Sequence, residues 1–178
     1  IKQLSSKEIS LWIKNKQHAI LLDRIGNANN LGAIVRSAAF FGIKNIIIPD
    51  DEAQSSITTS SCRVAEGGTE FVNICSTSSS IKLLKDVEGK MVRIGTDLSA
   101  RKTVSAIHGL CKSKSALIIL GNEERGISEK VRENCDELVI IPFLGMNEGK
   151  SSQVESLNVA QAASIILYEL SKDEFYRK

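Results

Sequence analysis

The chain has 178 residues and a formal net charge of +2; 42% of its residues are hydrophobic and 25% are charged. These values are typical of a globular domain that buries a core without disulfides, and they exclude extended disorder. A net charge so close to zero argues weakly against a nucleic-acid partner, and an aromatic content of 4% predicts an aliphatic core.

Membrane spans, disulfides and metal sites are not expected. The longest apolar runs, such as residues 116–120, are far shorter than the roughly 20 residues of a membrane span. The four cysteines, Cys62, Cys75, Cys111 and Cys135, are too far apart for a compact disulfide framework or a zinc site. We therefore expect reduced cysteines in a cytoplasmic protein without a metal.

In chain order, the first elements are a short helix, a buried strand and a longer helix. Ser5 and Glu8 form a capping-box pattern, which predicts a helix that ends near Lys16. The apolar run 18–25 predicts a buried strand. Residues 31–41 carry apolar side chains at helical spacing and are followed by Gly42 as a C-cap.

The remaining chain continues the alternation of strands and helices. We predict strands over 45–48, 71–75, 91–96, 116–120 and 137–141, and helices over 58–66, 80–87, 128–134 and 157–170. Short, fully apolar strands separated by helices are typical of a buried parallel sheet. The sequence therefore predicts an α/β fold, a mostly parallel sheet with helices on both faces.

Ligands of such folds gather beyond the carboxyl ends of the strands, where three loops are unusual. In the first loop, residues 27–36, Asn30 is a candidate helix cap and Gly32 allows another backbone to come close. Arg36 suits a phosphate or a hydroxyl that loses its proton, although a solvated or salt-bridged arginine is an equal alternative.

The other two loops follow the strands near residues 120 and 141. Residues 120–126 place a polar run between two glycines, either to offer backbone N–H groups to a ligand or as an ordinary turn. The third segment joins Ile141, Pro142 and Gly145 to a polar stretch. Ser156 then has the position of an N-cap for the final helix, and a helix N-terminus also attracts anions.

Taken together and in this order, the three segments resemble the SpoU/TrmH family of RNA 2′-O-ribose methyltransferases, part of the SPOUT class. The residues that match the three motifs of the family are, in turn, Asn30, Leu31, Gly32 and Arg36; Leu120, Gly121, Asn122, Glu123 and Gly126; and Ile141, Pro142, Gly145, Ser156, Leu157, Asn158 and Val159. The resemblance covers residues 18–171, and three ordered motifs are far more specific than one.

The resemblance implies a cytoplasmic S-adenosylmethionine-dependent enzyme that methylates a ribose 2′-hydroxyl in tRNA or rRNA. It also implies a deep trefoil knot in the C-terminal part of the chain. A homodimer through the knot region and the final helix is implied as well, without membrane or metal partners. The cofactor-binding residues implied by the match are Thr96, Leu120, Gly121, Asn122, Ile141, Pro142, Phe143, Ser156 and Leu157.

The same match implies which side chains do the chemistry. Arg36 would activate or position the ribose hydroxyl and its adjacent phosphate, and because arginine stays protonated, positioning is the simpler role. Asn30 would support Arg36. The residues that would shape the site and hold the substrate are Glu123, Ser156 and Asn158.

The same resemblance predicts the domain organisation. Residues 18–178 are expected to form the catalytic domain, and residues 1–17 a helical appendage or linker remnant. Many family members carry a separate N-terminal RNA-binding domain. Because the first residue is Ile and few residues precede the first strand, we expect that domain to be absent or cut away.

Two alternatives come from departures in the motifs. A non-catalytic RNA-binding protein that retains the fold fits Ala28, where the family usually has proline, and the ten residues 146–155, where it has few. A nucleotide-binding enzyme would use the segment 145–151, which resembles a phosphate-binding loop. That segment has three residues between its first glycine and the Gly-Lys pair instead of four, so Lys150 is better interpreted as a loop charge or a contact to RNA phosphate.

Overall fold

The computed structural model of the protein describes residues 1–50, 57–122, 124–143 and 156–172. In these ranges the strands are β1 (Lys2–Gln3), β2 (Ala19–Asp23), β3 (Asn45–Pro49), β4 (Asn73–Thr77), β5 (Val92–Thr96), β6 (Lys102–Thr103), β7 (Ala116–Gly121) and β8 (Glu137–Ile140). They form one sheet in the order β1-β4-β3-β2-β7-β5-β8-β6, with every neighbouring pair parallel. The predicted parallel α/β fold is confirmed.

Helices cover both faces of this sheet. They are α1 (Ser6–Lys14), α2 (Ala28–Phe40), α3 (Thr59–Ala65), α4 (Ser80–Asp86), α5 (Ile107–Leu110), α6 (Glu129–Glu133) and α7 (Val159–Ser171). Side chains of α2 and α7 belong to one core cluster, and those of α1, α4 and α6 to the other. Strand β2 shows why: Ile20 and Leu22 belong to the first cluster, whereas Ala19 and Leu21 belong to the second. Because successive side chains of a strand alternate between faces, a strand between two helix layers is apolar throughout.

Strand and helix boundaries differ from the prediction by a few residues. Helix α2 begins at Ala28 rather than Leu31, because the side chain of Asn27 caps it. Gly42, with φ of +74°, follows α2 as predicted. Strands β1 and β6 were not predicted, since two polar-rich residues at the edge of a sheet carry no hydrophobic pattern.

The N-terminal segment packs against the second core cluster. The Ser5–Glu8 capping box is present, with the backbone N–H of Ser5 donating to Oε2 of Glu8 at 2.9 Å. Trp12 is 5% exposed and belongs to this cluster, so it packs α1 against the sheet. Strand β1 adds an edge to the sheet beside β4.

The four cysteines, all of which the structure describes, are free thiols. Burial raises the pKa of Cys111 to about 11 and the pKa of Cys135 to about 12, so both thiols stay protonated and weakly reactive at neutral pH. In the described ranges, no helix is long and apolar enough to cross a membrane, and no cluster of three metal-ligating side chains is found.

Candidate active site

The carboxyl ends of four neighbouring strands lie side by side at one edge of the sheet. Asp23 at the end of β2 pairs with Gly121 at the end of β7, and Thr96 at the end of β5 pairs with Val139 of β8. The order β2-β7-β5-β8 therefore places the starts of the three motif loops, which follow β2, β7 and β8, at this edge. Motif segments that are distant in sequence reach the same edge because their strands are neighbours.

The turn after β7 is held by the side chain of Asn122. Its Oδ1 accepts hydrogen bonds from the backbone N–H groups of Glu124 and Arg125 at 3.0 and 3.1 Å, and its Nδ2 donates to the carbonyl of Arg24 at 3.0 Å. Because these contacts use the amide, Asn122 shapes the turn with its side chain. The predicted catalytic residue Glu123 lies outside the described residues.

Gly121 is required by the close return of that turn. A Cβ atom at this position would overlap the backbone of Gly126 and Ile127. The backbones of Asn122 and Gly126 exchange two hydrogen bonds, of 3.0 and 2.9 Å. These two hydrogen bonds join Asn122 to Gly126 at the carboxyl edge of the sheet.

Asp23, at the end of β2, is a residue of this edge that was not predicted as part of the site. Its side chain is buried, and its Oδ2 accepts a hydrogen bond from the backbone N–H of Ser128 at 2.6 Å. Ser128 is the N-cap of α6, but its own side chain makes no capping bond. The available signal in the sequence was a carboxylate at the end of an otherwise apolar strand. In the structure this carboxylate connects β2 to the start of α6.

The remaining predicted cofactor residues surround the same edge. Thr96 donates its hydroxyl to the carbonyl of Ile119 on β7 at 3.3 Å, and Leu120 is buried at the end of β7. Ile141 is half-buried against the first core cluster. Four of the predicted residues are exposed, namely Pro142, Phe143, Ser156 and Leu157. Residues 144–155, including Gly145 and Lys150, lie outside the described residues.

Two asparagines connect the start of α2 to the start of α7. Nδ2 of Asn158 donates to Oδ1 of Asn30 at 3.0 Å. Asn158 also caps α7, because its Oδ1 accepts the backbone N–H of Ala160 at 2.9 Å. Motif 1 and motif 3, which are 128 residues apart at this pair, therefore meet through a direct hydrogen bond.

This arrangement corrects two predicted caps. The cap of α2 is Asn27, whose Oδ1 accepts the N–H groups of Asn29 and Asn30 at 2.8 and 3.3 Å, so the prediction of Asn30 as the cap was wrong. The cap of α7 is Asn158 and not Ser156. Both predictions chose a residue of the right type within three positions, because Asn27, Asn29 and Asn30 stand at the start of α2 and Ser156 and Asn158 precede α7.

Arg36 forms an ion pair with Glu66, with Nη1 2.9 Å from Oε1. The two side chains are 57% and 63% exposed. Glu66 follows α3 in the left-handed conformation, with φ of +47°, and Gly68 packs so closely that an added Cβ would lie 3.3 Å from the Cα of Arg36. Of the two alternatives for Arg36, the structure shows an exposed, salt-bridged side chain, which leaves its charge accessible to a ligand.

Asn30 and Arg36 have different neighbours. Six residues of helix correspond to a rotation of about 240°, so the two side chains lie on different faces of α2. Asn30 contacts Asn158, whereas Arg36 contacts Glu66. Gly32 fulfils its predicted role, since a Cβ there would overlap the carbonyl of Ser61 in α3.

Comparison with known proteins gives one family. The model of the SpoU rRNA methylase family matches residues 17–168. An uncharacterized tRNA/rRNA methyltransferase of Mycobacterium avium is 34% identical over 154 residues, which are 86% of this chain and 46% of that protein. A similarly named protein of Mycobacterium tuberculosis is 32% identical over the same length, with 44% of it covered. The chain thus spans just under half the length of these relatives.

Solved structures show the same fold. The SpoU methyltransferase AviRb of Streptomyces viridochromogenes, in complex with AdoMet, is 28% identical, with a TM-score of 0.76 over 90% of this chain and 62% of that one. An AdoMet-bound rRNA methyltransferase of Sinorhizobium meliloti matches in fold, at 23% identity and a TM-score of 0.72 over 88% and 56%. The chain belongs to the SpoU rRNA methylase family, as its three motifs and their meeting at one edge of the sheet indicated.

Proposed function

We propose that the protein transfers a methyl group from S-adenosylmethionine to a ribose 2′-hydroxyl in tRNA or rRNA. The observation that carries this proposal is the convergence of three distant motifs. The strand ends of motifs 2 and 3 lie at the same edge of the sheet, separated by β5, and the Asn30–Asn158 hydrogen bond joins motif 1 to motif 3. Such an arrangement assembles one site from segments that are otherwise unrelated in the chain.

The carboxyl edge of β5, β7 and β8 suits the proposed cofactor. S-adenosylmethionine, when bound, supplies an electrophilic methyl group on a sulfonium. The half-buried Ile141 offers apolar surface, and the backbone carbonyls of Asn122 and Gly126 each keep a second lone pair that can accept a hydrogen bond. Apolar surface with a few polar groups is the combination that ligand sites use. The residues proposed to hold the cofactor are Thr96, Leu120, Gly121, Asn122, Ile141, Pro142, Phe143, Ser156 and Leu157, with Asn122 contributing its backbone carbonyl.

Arg36 is the residue proposed to act on the RNA. Its guanidinium is exposed and offers a planar fork of donors, which suits a phosphate and a neighbouring ribose oxygen. Because it keeps its proton, Arg36 positions the hydroxyl and stabilises negative charge that develops on the oxygen. Glu123, Ser156 and Asn158 are proposed to hold the substrate and shape the site. Asn30 was expected to support Arg36, but its side chain contacts Asn158, so its proposed role is to hold Asn158 in place.

A homodimer and a knot are also proposed. Ile165 and Tyr168 lie three residues apart on α7 and are 37% and 53% exposed. Together they form an apolar stripe that suits contact with a second copy of this chain. Two observations support the proposal of a deep trefoil knot in the C-terminal part. Strand β8 lies in the sheet between β5 and β6, and the chain then returns to α2, where Ser164 of α7 forms a hydrogen bond with Ser37. Residues 18–178 are proposed as the catalytic unit, in agreement with a family match that starts at residue 17.

Calorimetry with S-adenosylmethionine and its demethylated product tests cofactor use directly. We expect saturable binding to the folded protein at one site per chain. The absence of binding at millimolar ligand would exclude the proposed reaction.

Mapping of 2′-O-methylation in RNA tests the reaction itself. RNA from cells with and without the gene is compared, and we expect a ribose methylation that disappears with the gene. A lost methyl group on a base would contradict the ribose specificity. Cofactor binding without transfer to any RNA would favour the non-catalytic alternative.

A further inference from the structure

A shallow cleft beside Arg36 is lined by two exposed aromatic rings. Phe40 on α2 and Phe71 after α3 line this cleft together with Arg36 and Glu66, and its volume is about 350 Å³. Phe40 is 83% exposed and Phe71 is 72% exposed. Exposed rings of this size are unfavourable in water, and in a chain with 4% aromatic residues, two of them in one cleft require an explanation.

The fold holds both rings beside the guanidinium. Phe40 is four residues after Arg36 on the same helix, so the two side chains share one face of α2. Phe71 follows the turn at Gly68, and the backbone at Gly68 packs directly on the Cα of Arg36. Phe40 also contacts Phe41, with ring centroids 5.0 Å apart in an edge-to-face arrangement. Phe41 packs against the core, so the ring of Phe40 contacts a neighbour that is itself held by the core.

The chemistry of the cleft favours a nucleotide over a second copy of the chain. The Arg36–Glu66 ion pair, more than half exposed, lines the same cleft as the rings. A second copy would have to cover the carboxylate of Glu66, a residue type that is depleted at protein interfaces, whereas a ligand phosphate can take the place of Glu66 at Arg36. An unpaired nucleotide offers a flat base for the rings and a phosphate for the guanidinium. Aromatic stacking and arginine contacts are the means by which proteins hold single-stranded RNA.

We propose that the cleft between Phe40 and Phe71 binds one unpaired base of the RNA substrate, with the phosphate of that nucleotide at Arg36. This inference rests on the proposed function, and it adds a base-binding subsite outside the three motifs. The subsite holds a single base, so it agrees with an aromatic content too low for an extended stacking platform.

Alanine variants of the two rings test the subsite by RNA affinity. A mixture of bacterial tRNA and rRNA is the probe, and filter binding at fixed salt is the measurement for Phe40→Ala, Phe71→Ala and the double variant. Because stacking on one ring contributes a large free energy per base, we expect each single variant to bind at least about fivefold more weakly. Leu11→Ala is the matched control, since Leu11 is 46% exposed on α1, away from the cleft, and we expect less than a twofold change.

A tryptophan in place of Phe71 provides a positive test. Phe71→Trp keeps an aromatic ring, so RNA affinity is expected to stay within about twofold of wild type. The new indole is expected to be quenched by the RNA mixture but not by inorganic polyphosphate, which carries charge without bases. The native Trp12 is 5% exposed and contributes a constant background.

The outcomes separate this subsite from the proposed function. Wild-type affinity in the double variant would overturn the subsite and leave the methyltransferase proposal intact. Conversion of a wild-type dimer to a monomer by the double variant, measured by sedimentation, would assign the cleft to a second copy and overturn the subsite as well. A wild-type protein that binds neither RNA would remove both proposals.

Discussion

Two arginines of this protein each form an ion pair with a carboxylate, but one is buried and the other is exposed. Arg93 in β5 is 7% exposed, and its Nη2 and Nε contact the two carboxylate oxygens of Asp136 at 2.6 and 3.0 Å. Its Nη1 also donates to the carbonyl of Leu84 at 3.3 Å. Arg36 on α2 is 57% exposed, and its ion-pair partner among the described residues is Glu66.

Burial decides what each pair contributes. A buried arginine without its partner is an uncompensated charge, so loss of Asp136 is expected to destabilise the fold. An ion pair between exposed side chains contributes at most about 1 kcal/mol. Arg36 therefore can exchange Glu66 for a ligand phosphate at little cost, whereas Arg93 cannot leave Asp136. The comparison predicts that substitution affects chemistry at one site and stability at the other.

The largest effect is expected for Arg36→Ala. Methyl transfer should fall by at least about 10²-fold, because a preorganised charge at the reacting group is lost. The affinity for S-adenosylmethionine should stay within about threefold, and the free energy of unfolding within about 0.5 kcal/mol. Radiolabelled methyl transfer, calorimetry and urea unfolding measure the three quantities. Arg36→Lys keeps the charge without the fork and should be intermediate; wild-type activity in Arg36→Ala would remove this residue from the mechanism.

Asp136→Asn is expected to have the opposite profile. The free energy of unfolding should fall by about 2 kcal/mol, below the full penalty for a broken buried pair because Asp136 is itself 36% exposed and Glu88 remains near Arg93. Cofactor affinity at a temperature well below the unfolding midpoint should be unchanged. Glu88→Gln is the control, since Glu88 is 64% exposed and should cost less than about 0.5 kcal/mol. Equal loss in both variants would contradict the role of burial.

The same pair predicts a pH dependence of stability. The hydrogen bonds from Arg93 are the main reason that the pKa of Asp136 lies below its ordinary value. The stabilisation is therefore complete above the unfolded pKa, about 3.9, and is lost as pH falls through the lower folded pKa. Urea unfolding at a series of acidic pH values should show that wild type loses more stability than Asp136→Asn in this range. Parallel curves would show that the pair does not contribute.

The smallest effect is expected at the start of α7, where Asn158 both caps the helix and contacts the candidate site through Asn30. Asn158→Ala removes the helix cap and the hydrogen bond to Asn30, and should lower the free energy of unfolding by about 1 kcal/mol. Ser156→Ala should change it by less than about 0.5 kcal/mol, because Asn158 is the cap. Thermal unfolding of the two variants distinguishes the two caps, and a larger loss for Ser156→Ala would contradict the capping assignment.

Much of the fold could be predicted because its signals are local. Strand β2 is buried on both faces and reads as an uninterrupted apolar run, and the capping box at Ser5 and Glu8 spans four residues. The positions of motifs 2 and 3 at strand ends likewise followed from strand boundaries. Strands β1 and β6 could not be predicted, because two residues at a sheet edge are ordered only by the strand beside them.

The sequence by itself determined the fold class, the family and the residue types of the candidate site. The tertiary structure alone decided which partner each of them has. Asn27, Asn29 and Asn30 are chemically equivalent cap candidates, and Asn30 binds Asn158 only because α7 returns to the start of α2. Asp23 reaches Ser128, 105 residues away, because β2 and β7 are neighbours in the sheet. Hydrophobic periodicity reports how each segment meets the core, but strand order depends on the packing of the whole chain.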